Sequence, residues 1–219
     1  MMKQISRIFA AAAVLMAAVL PVRADDLDDY ARTLDRVEAG FWRAMFSSSE
    51  SSRAGYKKVV LSLNAIARKI HQAEFVAGIP HNTGDFINSS VRINSMLDRQ
   101  LPSYRKANIT MPTLKKSNLT VFRQKVAREQ KRNSRRGLIP YEELDLEDYR
   151  AFLDEVRDEN IRLIERRIRT NRNIGSGSKE DLIKIAESFY KYVSDLRYTV
   201  LKLRQQHKLF RKQDKKTSR

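Results

Sequence analysis

Residues 142–210, EELDLEDYRAFLDEVRDENIRLIERRIRTNRNIGSGSKEDLIKIAESFYKYVSDLRYTVLKLRQQHKLF, decide the fold class. Apolar residues recur at Tyr149, Phe152, Leu153, Val156, Leu163, Ile164 and Ile168, in three- and four-residue steps that place them on one side of an α-helix. The acidic start at Glu142, Glu143 and Asp145 and the basic finish at Arg166, Arg167, Arg169 and Arg172 suit the two ends of its dipole. Asn173-Ile174-Gly175-Ser176-Gly177 is a tight connector, after which Ser178 to Asp181 can cap a second helix. Leu182, Ile185, Phe189, Tyr192, Leu196, Thr199, Leu203 and Phe210 then sustain a near-heptad seam. Two long amphipathic helices joined by so short a loop predict an antiparallel hairpin. Asn160 falls on the first seam. A stripe that drifts around its helix leaves Asn160 exposed, which is the expectation; the alternative is a buried polar residue that fixes register.

The same spacing extends toward the N-terminus. Leu27, Tyr30, Leu34, Val37, Phe41 and Met45 define a helix over about 26–46, with Trp42 beside Phe41 expected in the core. The serine-rich stretch 47–52 interrupts it, and a second run from Tyr56 to Ile70 ends at Gly78-Ile79-Pro80. Phe86, Ile93 and Leu97 suggest a shorter helix stopped by Pro102. Residues 101–117 carry Pro102 and Pro112 and lose the periodicity, so an irregular connection leads to a basic helix from about Asn118 to Arg132. The expected fold is all-α: an elongated bundle of about five to six helices ending in the antiparallel hairpin. Residues 25–210 form one domain in this reading, and 211–219 form a flexible basic tail.

Composition removes whole classes of function. The 219 residues include no Cys, so disulfide scaffolds, thiolate-zinc sites, iron–sulfur clusters and thiol nucleophiles are excluded. Only 7 Gly and 5 Pro are present, too few for the frequent turns of a β-sandwich or barrel. Lys3 and Arg7 precede an apolar run from Ile8 to Leu20, followed by Pro21 and Val22-Arg23-Ala24. As a helix that run rises about 20 Å, short of the ~30 Å hydrocarbon core, which makes 1–24 a signal peptide rather than a membrane span. Cleavage is expected between Ala24 and Asp25, sending the chain to a periplasm or the secreted fraction.

Charge is the remaining signal. The formal net charge is +17, from 43 Lys and Arg against 26 Asp and Glu. Residues 99–136 hold twelve basic side chains and one acid, whereas 25–50 hold three basic and seven acidic ones. Lys115, Lys116, Arg123, Lys125, Arg128, Lys131, Arg132, Arg135 and Arg136 form a candidate cationic ridge for an anionic partner. The expected role is a non-catalytic adaptor, assembly or chaperone-like protein that docks an acidic protein. A peripheral envelope-binding module on anionic lipid or lipopolysaccharide is the alternative, with peripheral membrane contact. A solvated face, paired with the acids of the same chain, is the plainest reading of such a run. Nucleic acid is not the expected partner, since only Tyr104 and Phe122 interleave the basic residues.

No motif commits the chain to a reaction, and an enzyme of unknown class is the second alternative. Glu50-Ser51 lacks the continuation that a glycosidase acid of the lytic-transglycosylase type would have. His71 and Glu74 share a helix face, but without a second such pair the expectation is an exposed His71 and no metal. No cofactor is expected.

Overall fold

The computed structural model of the chain describes residues 24–46, 51–78, 112–131 and 139–217. Among these residues there are five α-helices and no strand, an all-α helical bundle. The helices are α1 (Ala24–Phe46), α2 (Ser51–Val76), α3 (Leu119–Lys131), α4 (Leu146–Thr170) and α5 (Ser176–Thr217), with a 3-10 turn at Tyr141–Glu143. The signal segment up to Arg23 and the helix expected before Pro102 lie outside the described residues, as does most of the irregular connection. Ala24 and Asp25, the expected cleavage site, form the first turn of α1.

Local chemistry sets the helix ends. Asp145 caps α4 by accepting hydrogen bonds from the Glu147 and Asp148 amides at 2.7 and 2.9 Å, so Glu142 and Glu143 fall in the preceding 3-10 turn rather than in the helix. Asn118 plays the same part for α3, its Oδ1 accepting from the Val121 amide. Gly78 at φ +65° closes α2, the left-handed conformation glycine adopts without strain. The Ser178 cap is not used: α5 starts two residues earlier, with the Lys179 amide already bonded to the Gly175 carbonyl. At its other end α5 runs to Thr217, whereas the apolar seam stops at Phe210.

Ion pairs between elements give the directions of packing. Arg150 meets Asp195 and Arg169 meets Glu180, so α4 and α5 run antiparallel, as the hairpin reading requires. Asp28 meets Arg204 and Asp35 meets Arg197, which makes α1 antiparallel to α5 as well. Gly40 brings α1 close to α2, since a Cβ there would stand 3.0 Å from Val59 Cγ2.

Burial places α5 at the centre. Its seam from Leu182 to Leu203 is buried as predicted, and so are Ile183, Ala186, Tyr190, Val193, Val200 and Leu201 between the seam positions. A helix apolar nearly all round must be covered on several sides, and α1, α2, α4 and the 3-10 turn all pack on α5. Phe41 stacks on Phe189 and Trp42 on Tyr190, so Trp42 is core as expected. Amide exchange measured by mass spectrometry should therefore be slowest over residues 189–203. Truncating Phe189 to Ala should cost about 3–5 kcal/mol in chemical denaturation.

Candidate functional site

The segment leading into α3 is tied to α4 by one side chain. Asn160 is fully buried; its Oδ1 accepts from the Lys115 amide and its Nδ2 donates to the Lys115 carbonyl, both at 2.8 Å. The expectation that Asn160 is exposed is thus corrected. The α4 stripe does not drift here, because a non-helical stretch of backbone lies along it and its peptide groups demand a polar partner. The backbone N–H and C=O of one residue, which belong to successive peptide units, are both met by a single side-chain amide.

This anchor sorts the basic residues into two sets. Lys115 Nζ lies 2.5 Å from Glu159, and Lys125 Nζ lies 2.9 Å from Glu155 and 5.6 Å from the centre of the Phe152 ring. The Lys125 hydrogen bond and charge hold the Glu155 carboxyl below its ordinary value. Arg123 donates to the Ile139 carbonyl and lies over the Tyr141 ring, whose centre is also 4.5 Å from Arg204. These three cations belong to the packing of α3 and its lead-in segment on the rest of the bundle. Lys116, Arg128 and Lys131 are different: all are exposed, and none pairs with a carboxylate among the described residues. Arg128 donates only to the Gln124 carbonyl of its own helix. Arg132, Arg135 and Arg136 lie outside the described residues.

Two buried charge clusters escaped sequence reasoning. Arg197 on α5 is 3% exposed and donates to Asp35 at 2.5 Å and to Glu38 at 2.6 Å, both on α1. Burial alone pushes the guanidinium toward deprotonation, but the Glu38 and Asp35 carboxylates outweigh it and keep it charged. The available signal was an arginine inside the run Tyr192–Leu201, otherwise mostly apolar, with two acids one turn apart on another helix. The second cluster centres on Glu74, which is 2% exposed and bonded to His71 Nδ1 at 2.9 Å, Thr199 Oγ1 at 3.2 Å and Lys202 Nζ at 3.3 Å. His71 is consequently not exposed as expected: its side chain is 18% accessible, held against α5 through Glu74. Among the described residues no group of three or more His, Cys, Asp or Glu could hold a metal ion.

Burial raises the Glu74 carboxyl, yet the His71 hydrogen bond and the Lys202 charge more than offset it, leaving it below its ordinary value of 4.5. A carboxyl depressed in the folded state contributes stability above its unfolded value and loses it as pH falls through the folded one. The melting temperature of the wild type should accordingly drop more steeply below about pH 4.5 than that of Glu74→Gln. Parallel acid profiles for the two proteins would place the acid sensitivity elsewhere. Comparison with known proteins yields no matching family model, no matching curated protein and no matching solved structure.

Proposed function

We propose that this chain is an exported, non-catalytic helical interaction protein that docks an acidic protein partner through the exposed cations of α3 and of the segment leading into it. One observation carries the reading: Lys116, Arg128 and Lys131 are solvent-facing and pair with no carboxylate among the described residues, although the chain spends other cations of the same segment on its own acids. Self-repulsion makes an unneutralised cluster of cations unfavourable unless an anionic surface meets it. The apolar run before Ala24 and the absence of cysteine support export. Rigid support of α3, through Asn160, Phe122 on Tyr149 and Phe152, and the Arg123–Tyr141 contact, suits a preformed docking face.

The test is cross-linking in the native compartment, with capture of the attached protein quantified for wild type and for the triple variant Lys116→Glu, Arg128→Glu, Lys131→Glu. At about 1 kcal/mol per basic group at an anionic surface, the triple reversal should weaken capture roughly a hundredfold. Helicity should be unchanged, because none of the three side chains is buried. Equal capture of both proteins would reduce the face to a solvated surface. Retention of the purified wild type by phosphatidylglycerol vesicles alone would replace the protein partner with a lipid surface.

A further inference from the structure

Above the Arg197 cluster lies a cleft of about 410 Å³ between α1, α5 and the non-helical segment 112–118. Its size is that of a small-molecule site, and its charges are sorted by depth. At the floor two carboxylates, Asp35 and Glu38, face one guanidinium, which leaves one negative charge in excess. Lys115 at the mouth is neutralised by Glu159, but Lys116 beside it is exposed and pairs with no carboxylate among the described residues. The cleft is thus negative within and positive at its rim. Trp42, Leu114 and Pro112 line the walls between with apolar surface.

We propose that this cleft binds a small zwitterionic amine of the α-amino-acid class with an apolar side chain. The floor has acceptors to spare. Glu38 uses Oε2 on Arg197, and Asp35, whose side chain is 40% accessible, uses Oδ1 on Arg197 and Oδ2 on Asn118 at 3.2 Å. A carboxylate offers about four lone-pair sites and an ammonium brings three donors and no acceptor, so the ligand ammonium suits Asp35 and Glu38. An anion placed there would meet the excess negative charge. The carboxylate end of the ligand meets Lys116 at the rim, and its side chain lies on the Trp42 and Leu114 wall.

Trp42 is the only tryptophan of the chain and lines this cleft as well as packing on Tyr190, so its emission responds to occupancy of the cleft. The experiment titrates the full-length chain with L-leucine and, in parallel, with 4-methylpentanoate, which has the same branched carbon skeleton and carboxylate without the ammonium. L-Leucine should give a saturable change in Trp42 emission with a millimolar or tighter Kd, and 4-methylpentanoate none. Asp35→Asn should weaken L-leucine at least tenfold while circular dichroism stays that of wild type. If that variant does not fold, Lys116→Ala on the exposed rim decides, with a several-fold loss expected. No saturable response to L-leucine, an equal response to 4-methylpentanoate, or unchanged affinity in the variant that folds would overturn the proposal.

Discussion

A guanidinium buried between two carboxylates is the constraint on which the bundle depends. Arg197 sits in the middle of the most enclosed helix, and desolvating it is tolerable only if Asp35 and Glu38 arrive at the right height on α1. Hydrophobic packing alone would accept several sliding registers of α1 on α5, since leucine and phenylalanine seams are forgiving of small shifts. The charge cluster is not. With Arg197 in place, Phe41 meets Phe189, Trp42 meets Tyr190 and Asp28 meets Arg204, one consistent antiparallel register along the whole contact. Burial raises the pKa of the Tyr149 hydroxyl, which lies near the same cluster, so it stays neutral and adds no charge there.

A second polar device, Asn160, does for the chain before α3 what Arg197 does for α1. It fixes the backbone N–H and C=O of Lys115 in a segment that has no helix or strand to satisfy its backbone, and from there α3 is placed against Tyr149 and Phe152. The placement has an electrostatic consequence. The side of α3 that faces α4 brings Lys125 to Glu155, while Arg128 and Lys131 stay exposed. The same segment roofs the cleft over Arg197, so the two polar anchors together shape both the basic face and the cavity.

The helices were legible because each pairs a three-to-four-residue apolar period with a visible stop or start, as at Gly78, Asn118 and Asp145. The hairpin was legible from loop length. What periodicity does not carry is which polar residues go inside. Arg197, Glu38 and Glu74 look like surface residues taken singly, and they are buried because a partner on another helix meets each of them. Asn160 was misread for a related reason: its partner is the backbone of a segment with no pattern of its own. The basic segment was found as a charge count, but which of its cations meet a carboxylate among the described residues depends on where Glu155 and Glu159 lie in space.

The most direct test of the Arg197 constraint is equilibrium denaturation of Arg197→Met beside the triple variant Arg197→Met, Asp35→Asn, Glu38→Gln. The single substitution strands a buried carboxylate and should cost about 3–5 kcal/mol, whereas neutralising both acids as well should recover most of that loss. A single variant within about 1 kcal/mol of wild type, or a triple variant no more stable than the single, would contradict a register set by this buried charge cluster.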